Sequence, residues 1–149
     1  MTHSVERRLS LPYSPASLFD LVADVERYPE FVPGWREVRV SLREPDRLLV
    51  EQRVSLGLGP GEWHFLSEAR LERPHAIGIR TIDAPFGELD IQWTFEALDE
   101  SGCAVVFRAR WNLGIGIVER LARAPFERRV AGLAHAFERR AHELCGVRQ

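Results

Sequence analysis

The chain has 149 residues, 45% of them apolar, and a formal net charge of −2. That length and apolar content suit one domain, residues 1–149, with a core of its own, and the near-neutral charge excludes a protein that coats nucleic acid. All 20 basic residues are Arg, which composition bias explains, and the charge divides into −5 over residues 1–113 and +3 over 114–149.

Residues 1–14 lack the apolar stretch of a signal peptide. No apolar run approaches the roughly 20 residues of a membrane span. The expectation is a cytoplasmic protein, with peripheral contact at the inner membrane left open. Cys103 and Cys145 form no metal-type spacing and are expected as reduced thiols.

Residues 4–11 carry Val5, Leu9 and Leu11 and read as a strand. Ser14 then caps a helix with Pro15 at its first position, where the missing N–H costs nothing. Leu18, Phe19, Leu21 and Val22 give this helix an apolar face. Pro29 and Pro33 break residues 24–33 into an irregular second helical piece.

From Trp35 the hydrophobic period changes to two. Val38, Val40 and Leu42 alternate with polar neighbours, and Glu44-Pro45-Asp46 makes a turn. A strand over 48–58 ends at Gly57-Leu58-Gly59-Pro60-Gly61, a hairpin signal. Trp63, Phe65, Ala69 and Leu71 mark the next strand, and Ile77, Ile79 and Thr81 another. A loop at 84–87 follows. Leu89, Ile91, Trp93 and Phe95 then face one way, with Asp90, Gln92, Thr94 and Glu96 opposite. Val105, Phe107, Ala109 and Trp111 form a further alternating face, so short turns join the strands into an antiparallel meander.

The period changes again at Gly116. Val118, Leu121, Ala122, Phe126, Val130, Leu133, Ala134, Phe137, Ala141 and Leu144 recur at three- and four-residue spacing, a helix of roughly thirty residues with one apolar stripe. Pro125 inside it is expected to kink or split it. The order is β-α-α-β6-α.

A long helix lying across a curved sheet need not touch it at every level, and the gap is a place for an apolar ligand. The sheet offers Trp63, Phe65, Trp93, Phe95, Phe107 and Trp111; the helix offers Leu121, Phe126, Val130, Leu133 and Phe137. Packed core is the ordinary use of such aromatics, and a ligand cavity is the functional one. Tyr28, Phe31 and Trp35, held between prolines, serve either as a plug at one end of the barrel or as a lip over the cavity mouth.

Catalytic and metal chemistry finds little support. No phosphate loop, zinc spacing or nucleophile elbow is present. His135 and His142 are able to share a helix face, but no acid or Cys completes a ligand set. His64 faces away from Trp63 and Phe65. Arg53, Arg80, Arg108 and Arg110 read as outer-face strand residues. The arginines of the last helix, Arg120, Arg123, Arg128, Arg129, Arg139 and Arg140, form either a solvated face or a weak attraction to anionic lipid.

Three segments carry a family resemblance. Residues 24–33, Asp-Val-Glu-Arg-Tyr-Pro-Glu-Phe-Val-Pro, resemble the D-V-x-x-Y-P-x-F-x-P signature of the ubiquinone-binding Coq10/RatA-type proteins, members of the START-like, polyketide-cyclase-like superfamily. Asp83-Ala84-Pro85-Phe86, then Leu89 and Trp93-Thr94-Phe95, resemble the family's D-G-P-F…L…W-x-F stretch. Phe126–Val130 and Ala136–Ala141 resemble its last helix, which ends A-F-x-x-R-A. Departures are Ala84 for the usual Gly, Trp35 where many relatives carry Cys, and a glycine-rich tip at 57–61.

The resemblance implies an α+β helix-grip (START/Bet v 1-like) fold. It implies a non-catalytic carrier that holds ubiquinone or a related isoprenoid quinone or lipid in support of respiration, with no cofactor, metal or DNA partner. The ligand residues it points to are Tyr28, Phe31, Trp35, Trp63, Phe65, Phe86, Trp93, Phe95, Phe107, Trp111, Leu121, Phe126, Val130 and Phe137. The alternatives are a ribosome-directed toxin that blocks subunit joining, lowered by the charge, and an aromatase/cyclase, which would need acid/base groups inside the cavity.

Overall fold

The computed structural model describes residues 2–55, 62–84, 87–98, 102–112 and 117–145, with the side chains of 117–123 and 125 excepted. The glycine-rich tip and Phe86 lie outside these residues. The elements are β1 (His3–Leu11), α1 (Pro15–Ala23), a 3-10 segment (Val25–Glu30), β2 (Trp35–Glu44), β3 (Arg47–Ser55), β4 (Glu62–Glu72), β5 (Ala76–Asp83), β6 (Glu88–Ala97), β7 (Cys103–Asn112) and α2 (Ile117–Cys145). The seven strands form one antiparallel sheet in the order β1-β7-β6-β5-β4-β3-β2. The architecture is the expected α+β helix-grip, a curved sheet with a long C-terminal helix.

Local chemistry accounts for the boundaries. Ser14 caps α1: its Oγ accepts from the Ser17 backbone N–H at 3.2 Å, and Pro15 opens the helix. Tyr28 and Val25 are the buried residues of the 3-10 segment, which runs through Pro29. The Tyr28 hydroxyl donates to the Val22 carbonyl and ties the segment back to α1. Gly34 follows with a φ of 92°. A Cβ there would stand 2.8 Å from the Ser55 carbonyl oxygen and 2.9 Å from the Arg129 guanidinium, so only glycine admits this approach.

The sheet obeys its period. In β6, Leu89, Ile91, Trp93 and Phe95 are buried and their neighbours exposed; in β7, Val105, Phe107, Ala109 and Trp111 are buried. On the outer face Glu6 sits directly opposite Arg108 and accepts from its Nε at 2.6 Å. Glu68 lies among Arg47, Arg70 and Arg80 at 2.7, 3.3 and 3.6 Å. The edge strand β2 slips register twice against β3, between Trp35 and Glu37 and between Val40 and Leu42.

Of the two outcomes expected at Pro125, a split does not occur: α2 runs from Ile117 to Cys145 as one helix. The buried side chains that follow Pro125, Phe126, Val130 and Leu133 among them, pack this helix on the core, which offsets the local cost of one lost backbone hydrogen bond. Phe126, Val130, Leu133, Ala134, Phe137 and Ala141 are buried as the stripe requires, whereas Leu144 is 47% exposed. Cys103 and Cys145 are thiols, and burial pushes the Cys103 thiol's pKa up. No helix among the described residues is long and apolar enough to cross a membrane.

Candidate functional site

The space between α2 and the sheet is nearly full. Two aromatic clusters fill most of it. Phe137 stands at the centre of one, with ring centroids 5.1 Å from Tyr28, 5.1 Å from Phe31 and 5.0 Å from Trp93. Phe126, three turns earlier on α2, centres the other, 5.9 Å from Trp63 and 5.8 Å from Trp111. These edge and tilted arrangements are the favourable ones for aromatic pairs.

An enclosed hollow of about 40 Å³ remains, with Leu133 and Phe137 on the helix side. Its other walls are Tyr28, Trp35, Phe65, Ile79, Leu89, Ile91 and Trp93, with Gln52, Ser67 and Thr81 as its polar groups. Such a volume takes a water or two, whereas small-molecule pockets run to about 300 Å³ and more. The apolar cavity expected from the sequence is therefore small in this conformation.

The expected ligand residues divide accordingly. Tyr28, Trp35, Phe65, Trp93 and Phe137 line the hollow. Phe31 and Phe107 stand behind them in ring contact, Phe107 4.8 Å from Trp93, whereas Trp63, Trp111 and Phe126 form the separate cluster. Phe95 packs against Phe19 of α1 at 5.8 Å, and Val130 is buried in the core. Phe86 and the side chain of Leu121 lie outside the described residues.

The inner face is less apolar than expected. Gln52 stands between Val50 and Val54 on β3, Ser67 between Phe65 and Ala69 on β4, and Thr81 directly opposite Ser67 on β5. The period of two places all three inward. Gln52 and Ser67 escape notice in the sequence because their strands were recognised by apolar residues, and Thr81 was read with Ile77 and Ile79 as a strand residue only. Trp35 Nε1 donates to Gln52 Oε1 at 2.8 Å, and Gln52 Nε2 donates to Ser67 Oγ at 2.9 Å. Thr81 Oγ1 accepts from the Leu89 N–H at 3.1 Å.

The 3-10 segment closes one side. Phe31 packs on Phe137, the Arg140 guanidinium lies 5.1 Å over the Phe31 ring, and Arg140 pairs with Glu30 at 3.1 Å. Burial pushes the Tyr28 phenol's pKa far up, with the nearby Asp24 charge adding to it, so the phenol stays protonated and keeps its bond to Val22. Arg129 donates from Nε to the Ser55 carbonyl at 3.2 Å. Two arginines of the basic helix thus serve the fold, and its outward face presents Arg128 and Arg139 beside Glu127 and Glu143. Larger hollows on the outer sheet face, one of about 640 Å³ between Arg39, Glu51, Arg53 and His64, are open and charged. Among the described residues no three His, Cys, Asp or Glu side chains gather as a metal site.

Comparison with known proteins agrees with this geometry. The family profile described as polyketide cyclase / dehydrase and lipid transport matches residues 11–138. A Pseudomonas aeruginosa protein named ribosome association toxin RatA is 30% identical over 146 residues, covering 98% of this chain and all of that one. An Escherichia coli protein named persistence and stress-resistance toxin PasT is 27% identical over 145 residues, covering 97% of this chain and 90% of that one. Among solved structures, the Zhui aromatase/cyclase of Streptomyces sp. R1128 superposes with a TM-score of 0.79 at 17% identity, covering 95% of this chain and 96% of that one. An 18 kDa Caulobacter crescentus protein superposes with a TM-score of 0.70 at 26% identity, covering 98% and 99%. The fold, the aromatic-walled interior and a profile match spanning most of the chain place this protein in the polyketide cyclase / dehydrase and lipid transport family.

Proposed function

We propose that the protein is a non-catalytic carrier of an apolar small molecule, a ubiquinone-type isoprenoid quinone, held between the sheet and α2. The observation that carries this reading is the hollow itself: an aromatic-walled space with an amide and two hydroxyls on its floor, where a plain core would bury apolar side chains. A volume of about 40 Å³ is a seed for such a site. Loading requires the 3-10 segment to move away from α2, giving up the contacts of Tyr28 and Phe31 with Phe137 and the Arg140–Glu30 pair. The described lining holds no carboxylate or imidazole to act as acid or base, which supports carriage over catalysis. A cargo that resides in the bilayer would bring the protein to the inner membrane.

The test is mass spectrometry of the organic extract from protein incubated with ubiquinone-loaded vesicles. Stoichiometric quinone is expected. Protein recovered empty overturns the reading.

A second reading is favoured by the relatives of 27–30% identity that are named ribosome association toxins. On that reading the protein binds a ribosomal subunit. It predicts co-sedimentation with ribosomal particles and growth arrest on overproduction; protein that stays at the top of the gradient excludes it.

A further inference from the structure

The polar groups of the hollow are ordered in one direction. An indole N–H only donates, so the Gln52 amide must turn its carbonyl oxygen to Trp35, 2.8 Å away. The Gln52 NH2 group then faces Ser67, and an amide nitrogen does not accept, so Ser67 Oγ is the acceptor of that 2.9 Å bond. The Ser67 hydroxyl hydrogen must point elsewhere. It has no acceptor among the described residues, and Ser67 is 2% exposed. Thr81, opposite Ser67, makes its side-chain hydrogen bonds to the N–H and carbonyl of Leu89 and none to Ser67.

We infer that Trp35, Gln52 and Ser67 form a directed hydrogen-bond relay that leaves the Ser67 hydroxyl hydrogen as a donor to the hollow, and that it selects an apolar ligand bearing an acceptor oxygen, a carbonyl or ether, at its buried end. The inference rests on the carrier reading and adds the chemical class of the headgroup to it. A buried donor left without an acceptor is costly, so a pure hydrocarbon of the same shape binds less well than a ketone or quinone. Trp35 acts as a positioning residue. Without its N–H the Gln52 amide is free to rotate, its oxygen then accepts from Ser67, and the outgoing donor is lost.

Calorimetric titration with two probes tests this: a decyl-substituted dimethoxy-methyl-benzoquinone and dodecylbenzene, which has no oxygen. Ser67→Ala is expected to weaken quinone binding about tenfold, the scale of one hydrogen bond, and to hold or strengthen dodecylbenzene binding. Trp35→Phe is expected to lower the ratio of quinone to hydrocarbon affinity, whatever it does to both through packing. Melting curves confirm that each variant is folded. If the native protein binds the quinone and both variants keep the native ratio of affinities, the relay is overturned while the carrier reading stands. If the native protein binds neither probe, the carrier reading falls and takes the relay with it.

Discussion

Replacing Phe137 by Ala tests how the interior is closed. Phe137 is 4% exposed and touches Trp93 of β6 together with Tyr28 and Phe31 of the strap, the 3-10 segment Val25–Glu30 and the residue after it. A buried Phe→Ala change costs about 3–5 kcal/mol, rising with the cavity left behind. Trp93 is fixed by its strand and by Phe107 at 4.8 Å, so the sheet wall cannot relax into the gap. Tyr28 is tethered to Val22, so the strap relaxes little. The loss is therefore expected near the middle of that range, about 4 kcal/mol, against a total of about 5–15 kcal/mol for a domain. Urea denaturation with an unchanged slope measures it. The enlarged hollow should also take up benzene, seen as a raised melting temperature in benzene-saturated buffer. A loss under about 1 kcal/mol with no response to benzene would refute the view that Phe137 keeps the strap and helix closed over the hollow.

Other outcomes follow from the same contacts. Gly132 sits on the solvent face in the interior of α2, where an added Cβ meets nothing within 4 Å; Gly132→Ala should stabilise by about 0.5–1 kcal/mol, a rise of roughly 1–4 °C in melting temperature. Ser14→Ala removes the cap of α1 and should cost about 1 kcal/mol in the same assay. The hydrogen bond from Arg47, with Arg70 and Arg80 nearby, holds the Glu68 carboxyl below the usual carboxylate range. The stability it supplies is complete above the unfolded carboxylate pKa of about 4.3 and lost as pH falls through the lowered folded value. Glu68→Gln should therefore reduce the drop in melting temperature between neutral and acidic buffer, and an unchanged drop would show that this cluster contributes nothing.

The fold was legible because its signals were local. Ser14-Pro15 opened α1, the alternation at 89–95 marked β6, and the three- and four-residue spacing after Gly116 marked α2. Pro125 does not split α2 because the cost of a proline within a helix is local, while the packing that holds the helix is spread over residues such as Phe126, Val130 and Phe137. The site was legible in part. Tyr28, Trp35, Phe65, Trp93 and Phe137 followed from pattern and motif. Gln52 and Ser67 did not, because their strands were found by their apolar members, although the parity of Val50 and Val54 already places Gln52 inward; Thr81 was read only as a strand residue beside Ile77 and Ile79. The size of the hollow was beyond any pattern: it depends on how far Phe137 leans toward Tyr28 and Trp93, a matter of rotamers and curvature.

The double slip in the register of β2 bears on how the molecule behaves in a crowd. An unpaired strand margin invites a neighbouring chain to zip along it. Here the margin is bent in two places and studded with Arg36, Glu37, Arg39, Arg43 and Glu44. A second copy approaching that flank finds its ladder interrupted and its charges opposed, so concentrated solutions of the protein should resist fibrillar growth from this side.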